Sequence, residues 1–119
     1  MGVRLSTFAT EENTRVYEPG ETIFQAYDMG SEMYIVVEGQ VELTIDSKAL
    51  EVIGPGQPFG EMALIDQEPR VATATAKTRC KLIVIPEKRF LFMVQQAPEF
   101  ALEIMKVMAD RLRTMNQRF

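Results

Sequence analysis

The apolar pattern of this chain changes period once, at Pro86, and that change limits the folds open to it. Before Pro86, short apolar runs alternate with turns. After it, apolar residues recur every three or four positions. The clearest strand lies at residues 40–46, where Val41, Leu43 and Ile45 alternate with polar neighbours, the period of a strand with one buried face. Residues 33–37 form a continuous apolar run, which suits a more deeply buried strand. Glu38-Gly39 between the two predicts a tight turn, and hence a hairpin. Residues 15–17, 22–24 and 50–53 are shorter strand candidates, punctuated by Pro19-Gly20 and Gly54-Pro55-Gly56. Residues 71–76 and 80–85 predict a second strand pair. Many short strands with regular turns point to an antiparallel sandwich or barrel.

Past the change of period, Pro86 opens a helix ending near Gln96, and Pro98 opens another, since proline suits a first helical turn. In the second helix Ala101, Met105, Met108, Leu112, Met115 and Phe119 recur at alternating steps of four and three, a coiled-coil type of seam. Ile104 and Val107 widen the apolar face. The stripe packs on its own domain, or it pairs with the same helix of a second chain. The seam spacing favours the second, so a homodimer is expected.

A length of 119 residues suits one domain, 1–119, and the 46% hydrophobic and 25% charged fractions are ordinary for a globular protein. No apolar run approaches the roughly 20 residues that span a bilayer. Residues 1–10 carry no basic segment followed by an apolar block, so no signal peptide is expected. Met1 close to the first strand favours a free-standing chain. The single cysteine, Cys80, permits no internal disulfide, fits a reducing compartment and reads as a structural thiol. A cytoplasmic location is expected. With no histidine and no cysteine pair, the usual zinc sites and His-based triads are excluded, and neither a metal site nor a catalytic residue is expected. Net charge is −4. Arg111, Arg113 and Arg118 read as the solvated face of a helix, so nucleic acid is not an expected partner.

The informative stretch is residues 59–74, Phe-Gly-Glu-Met-Ala-Leu-Ile-Asp-Gln-Glu-Pro-Arg-Val-Ala-Thr-Ala. Gly60 precedes a short run of good helix formers, where backbone N–H groups carry partial positive charge suited to an anion. Arg70 follows nine residues after Glu61, at the expected start of an alanine-rich strand. Its planar fork suits a phosphate, the small residues around it leave room, and a carboxylate nearby can accept a sugar hydroxyl. On physical grounds alone a plainer reading stays open: Glu61 and Arg70 form an ion pair, and Ala72, Ala74 and Ala76 line a crowded core.

This stretch resembles the phosphate-binding cassette of cyclic nucleotide-binding domains. These are the modules of cAMP-dependent protein kinase regulatory subunits, gated channels and bacterial catabolite-activator-type regulators. The upstream residues 17–24 and 33–41 match as well, and the resemblance covers nearly the whole chain. It implies a mainly β fold, an eight-stranded antiparallel β-roll of jelly-roll-like barrel type with C-terminal helices. It places Gly60, Glu61, Met62, Ala63, Arg70, Val71 and Ala72 at the ligand. Glu61 would accept the ribose 2′-OH, with the Gly60 backbone beside it, and Arg70 would pair with the cyclic phosphate. The N–H groups of Ala63 and Val71 would complete the cradle. Gly20 and Gly39 would be turn glycines. The family often has glycine before aspartate where this chain has Tyr27-Asp28. Tyrosine resists positive φ, so that turn is expected to be built differently, with Tyr27 as a surface contact.

The resemblance implies a cyclic nucleotide sensor that is not an enzyme and acts on a separate effector protein or domain. The alternative is a degenerate member of the fold that serves as an interaction or dimerisation module without nucleotide. A Thr or Ser directly after the cassette arginine tends to favour cGMP in the family. Val71 stands there, so cAMP is the expected ligand, with cGMP the weaker one.

Overall fold

The computed structural model describes Thr10 and residues 12–117. The strands are β1 Thr14–Tyr17, β2 Thr22–Phe24, β3 Glu32–Glu38, β4 Val41–Ile45, β5 Lys48–Ile53, β6 Pro58–Phe59, β7 Thr73–Ala76 and β8 Cys80–Pro86. The helices are α1 Met62–Ile65, α2 Glu87–Gln96 and α3 Pro98–Gln117. The strands form two four-stranded antiparallel sheets, one in the order β1-β8-β3-β6 and the other β2-β7-β4-β5. The expected eight-stranded roll with C-terminal helices is therefore present, built as two facing sheets rather than a closed barrel.

Burial explains which strand joins which sheet. In β3, Tyr34 and Val36 enter one apolar cluster while Met33 and Ile35 enter another. In β8, Cys80 and Leu82 enter the first cluster, and Ile83 and Ile85 the second. The first cluster lies between the sheets, with Val41, Ile53, Ala74 and Ala76 of the second sheet. The other is filled by Met93, Phe100 and Ile104 of the helices. The sheet of β3 and β8 is thus a middle layer, covered on both faces. By contrast β7 reads Thr-Ala-Thr-Ala, with both alanines buried and both threonines only partly so. That is the pattern of a sheet with one buried face.

Two expectations of pairing are corrected by the same fact. Residues 33–37 and 41–45 do not form a hairpin: β3 pairs with β8 and β6, and β4 with β5 and β7. Likewise β7 pairs with β2 and β4, not with β8. In each case a doubly buried strand and a singly buried one are neighbours in sequence but belong to different layers. Gly39 (φ +91) turns the chain from one layer to the other, and Gly20 (φ +88) also sits in a turn. The true hairpin is β4–β5. Ile45 pairs with Lys48 across Asp46 and Ser47, both at positive φ, as a two-residue turn of the right twist requires. The register shifts between Leu43 and Thr44, where β5 carries the extra residue Leu50, and Ile45, beside the turn, is 40% exposed instead of facing the core. Cys80 is buried, with Sγ 3.1 Å from the Gln40 carbonyl oxygen and 3.3 Å from that of Thr78.

Pro86 caps α2 in extended conformation and Pro98 begins α3, where their missing N–H groups cost nothing. Phe100 is fully buried, meets Phe90 edge-on at 5.7 Å and sits among Met33, Ile35 and Ile85. It is the main anchor of the helices on the middle sheet. Phe100→Ala should lower the unfolding free energy by about 3–5 kcal/mol, the cost of a buried phenylalanine and the cavity it leaves. Urea unfolding followed by circular dichroism measures it. A loss below about 1 kcal/mol would show that the helices are held elsewhere.

Candidate functional site

Three elements converge at the segment that the sequence singles out. Phe59 ends β6, Gly60 turns the chain at φ +76, and Glu61 stands at the start of α1, 6% exposed. The chain then returns through Gln67, also at positive φ, to Arg70. Arg70, expected at the start of a strand, lies instead in the loop before β7. The loop after β2 fixes its backbone from both sides. The Tyr27 N–H donates to the Arg70 carbonyl at 2.7 Å, and the Arg70 N–H donates to that of Asp28 at 2.8 Å. Tyr27 takes φ +76 in spite of its side chain, and is 82% exposed. The turn is therefore not avoided, contrary to expectation. The two backbone bonds hold a conformation that tyrosine alone disfavours.

The Arg70 side chain runs inward and only 7% of the residue is exposed. Nη1 donates to the Gly60 carbonyl at 2.8 Å and Nη2 to that of Glu32 at 2.7 Å. Its guanidinium carbon lies 4.0 Å from the centroid of the Phe24 ring and 5.9 Å from that of Tyr34. Phe24, Tyr34 and Phe59 pack ring on ring beneath it, with centroids 5.1–6.0 Å apart. Among the described residues Arg70 forms no ion pair, so the plain reading of a Glu61–Arg70 bridge is not what the structure shows. Its Nε is the one buried side-chain nitrogen or oxygen there with no hydrogen-bond partner. Burial pushes its pKa down, against the opposing pull of Tyr34, Glu32, Glu61 and Asp28. Burial and a 2.9 Å hydrogen bond to Glu32 push Tyr34 above the ordinary tyrosine range. A buried cation without a counter-ion is costly. Chemically, the arrangement is suited to an anion with oxygens to share, and a phosphate matches the guanidinium fork.

Glu61 has a partner that the sequence did not reveal. Arg111 of α3 donates from Nη1 to Glu61 Oε1 at 2.7 Å and from Nε to Glu51 Oε1 at 3.3 Å, and its Nη2 bonds the Pro58 carbonyl. The reading of Arg111 as a solvated residue is corrected: its side chain is 19% exposed and ties α3 to β5, β6 and the start of α1. The expectation suits Arg113, which is 72% exposed beside Asp110; Arg118 lies outside the described residues.

The remaining candidates fall into place around these two. Ala63 and Ala72 are buried, at 4% and 6%, and Ala74 and Ala76 line the core, as the plain reading had them. Met62 and Val71 turn their side chains outward, at 48% and 72% exposed. Val71, not Ala72, is thus the side chain next to Arg70 that is open to solvent. Among the described residues the N–H groups of Ala63 and Val71 donate to no backbone acceptor in a turn or loop. The chain brings Gly60 and Arg70 into hydrogen-bond contact with Glu61 next to them, and no hydrogen bond joins Ala63, Ala72, Met62 or Val71 to them among the described residues. Sequence reasoning missed Phe24, Gly30, Glu32 and Arg111. An open cleft of about 520 Å³ lies elsewhere, lined by Thr14, Arg15, Glu32, Val84, Pro86 and Arg89 among others, and no cassette residue borders it.

The Glu61–Arg111 pair yields a stability prediction. Arg111→Met should cost about 2–3 kcal/mol in urea unfolding, because Glu61 is left buried with an unpaired charge. That is below the full range for a broken buried pair, since Arg111 keeps 19% of its side chain exposed. Glu61→Gln in the same background should recover part of the loss. Strictly additive losses from the two substitutions would show that the pair is not coupled.

Comparison with known proteins places this geometry in context. The sequence profile of the cyclic nucleotide-binding domain matches residues 14–97. The chain is 33% identical over 104 residues to the cyclic AMP receptor protein of Thermus thermophilus, covering 83% of this chain and 48% of that one. It is 34% identical over 97 residues to a cyclic nucleotide-gated potassium channel of Rhizobium etli, covering 82% of this chain and 27% of the channel. The crystal structure of the Thermus thermophilus catabolite activator protein superposes with a TM-score of 0.79 at 30% identity, covering 88% of this chain and 52% of the other. The chain thus spans about half or less of the length of these three relatives.

Proposed function

The chain belongs to the cyclic nucleotide-binding domain family, and from that membership we propose that it is a sensor for a cyclic nucleotide, cAMP before cGMP. One observation carries the reading. Arg70 is a buried cation with two main-chain carbonyls, an aromatic face and an unused N–H, and among the described residues no carboxylate within ion-pair distance. A cyclic phosphate supplies the missing negative charge. Gly60 and Glu61 flank the arginine, and Glu61 accepts the ribose 2′-OH in exchange for, or beside, its bond to Arg111. The N–H groups of Ala63 and Val71 complete the cradle, with Met62 and Ala72 alongside. In this reading residues 1–119 act as one binding domain without a catalytic step, in the cytoplasm, and signal to a separate effector protein or domain. Arg111 joins the ribose carboxylate to α3, which gives occupancy a route to the helix.

A second reading, an interaction module without nucleotide, draws support from the same pair, because Arg111 already satisfies Glu61. Calorimetric titration separates the two. Arg70→Ala should weaken cAMP binding by roughly 30-fold to several thousand-fold, the effect of removing one member of a buried charge pair, at 1.4 kcal/mol per tenfold. cAMP should bind about tenfold more tightly than cGMP, and Val71→Thr should narrow the gap by giving guanine a hydroxyl partner. No binding by the wild type, or an unchanged affinity in Arg70→Ala, would sink this site.

For assembly we infer a homodimer through α3. Ile104 faces the middle sheet, 2% exposed, and of the seam Ala101 and Met108 are partly buried, Met108 against the cluster under the helices; Met105, Leu112 and Met115 are 61%, 59% and 46% exposed, so this part of the seam is left open by the chain itself. Its last position, Phe119, lies outside the described residues. Leu112→Lys should produce a folded monomer, since Leu112 is not part of the core. Light scattering that gives the wild type the mass of one chain at tens of micromolar concentration would end the proposal.

A further inference from the structure

The guanidinium of Arg70 lies in a slot beside Gly60 of the cassette, and two further walls of the slot come from outside the cassette. One is the ring of Phe24, at the end of β2, 4.0 Å from the guanidinium carbon to the centroid. The other is Gly30, in the loop before β3. A Cβ built on Gly30 would stand 2.3 Å from Arg70 Nε, 2.5 Å from Cζ and 2.6 Å from Nη2. Such distances cannot be tolerated, so the slot exists only because residue 30 has no side chain. Through Tyr27 and Asp28, the same loop also holds the Arg70 backbone at both its N–H and its carbonyl.

We propose that Gly30 and Phe24 are positioning residues for Arg70, and that one methyl group at position 30 evicts the arginine from its slot without unfolding the chain. The consequence for binding rests on the reading of Arg70 as the phosphate partner; the placement itself does not. Gly30 is not in the left-handed region, so alanine is allowed there by its backbone. The atoms a methyl would meet are the far end of a flexible side chain, not backbone. The arginine therefore yields, rotating toward water. It gives up two carbonyl partners but sheds the burden of a buried charge, and neither apolar cluster includes it. The methyl thus acts on the direction of the fork rather than on the core. Phe24 acts by attraction instead. Its ring face attracts the cation electrostatically, which an aliphatic side chain of similar bulk does not.

The test reads Arg70 directly. In nitrogen-15 NMR, the wild type should show one arginine Nε–H protected from solvent exchange and displaced by the Phe24 ring current, and Arg70→Lys should abolish it. Gly30→Ala should lose both protection and displacement while melting within a few degrees of the wild type. Its cAMP affinity should fall about tenfold or more, the equivalent of ~1.4 kcal/mol per tenfold. Phe24→Leu should lose the displacement and weaken cAMP, and Phe24→Tyr, which keeps a ring face, should retain both. A Gly30→Ala protein that keeps the protected signal or the full affinity overturns the proposal, and so does a Phe24→Leu protein that behaves as the wild type. An unfolded Gly30→Ala protein overturns the eviction, and the two Phe24 variants then decide the positioning role. If the wild type binds no cAMP while the NMR pattern follows the substitutions, the cyclic nucleotide reading fails and the slot stands.

Discussion

Strands β3 and β8 carry apolar side chains to both of their faces, and a sheet of that kind must be covered twice. The second sheet covers one face with Val41, Ile53, Ala74 and Ala76; α2 and α3 cover the other with Met93, Phe100 and Ile104. Once this layering is imposed, the path of the chain follows. Each passage between a doubly buried and a singly buried strand must change sheets, which is why Gly39 turns outward from its own sheet and why β7 and β8 never pair. Burial of about 25 cal/mol per Å² rewards every apolar residue of the middle layer on whichever side it points. The apolar side chains of β3 and β8 are covered on both faces, and the polar groups of the cassette gather at the end of the roll, where β6, α1 and the loops after β2 and before β7 meet.

There the molecule holds two guanidinium groups on different terms. Arg111 has carboxylates, Glu51 and Glu61, so its charge is matched within the chain. Arg70 has only carbonyl dipoles and an aromatic face. The difference is one of purpose as well as environment. A matched pair holds elements together, here α3 to the second sheet and the cassette. Arg70, with no ion pair among the described residues, is held in burial by weaker, neutral partners. The two arginines stand on either side of Gly60-Glu61, one through the Gly60 carbonyl and the other through the Glu61 carboxylate. The site and the helix therefore share two consecutive residues.

The outlines of the fold were legible in the sequence because they depend on local chemistry. Pro86 and Pro98 mark the helix starts, and the glycines at 20 and 39 mark turns, since each acts through its own backbone. The partition of strands between sheets was encoded too, in the contrast between Cys-Lys-Leu-Ile-Val-Ile and Thr-Ala-Thr-Ala, but reading neighbours in sequence as neighbours in space concealed it. The two-residue strand β6 is too short to show any period. Within the site, the cassette stood out as a contiguous motif. Its supports did not: Arg111 meets Glu61 across 50 positions, and Glu32 acts through its carbonyl, which any residue possesses. Gly30 works by lacking a side chain, and no spacing rule announces that.

The turn that joins the layers is packed against the only thiol in the chain. A Cβ on Gly39 would lie 2.9 Å from Cys80 Sγ, and Cys80 pairs with Tyr17 on the edge strand β1. Burial raises the thiol pKa, so little reactive thiolate forms near neutral pH even before access is considered. A thiol reagent can reach Sγ only when the 38–40 turn lifts or β1 peels from β8. Modification of Cys80 is thus an intrinsic clock for local opening at the 38–40 turn or at the β1 edge of the middle sheet, read with no added label.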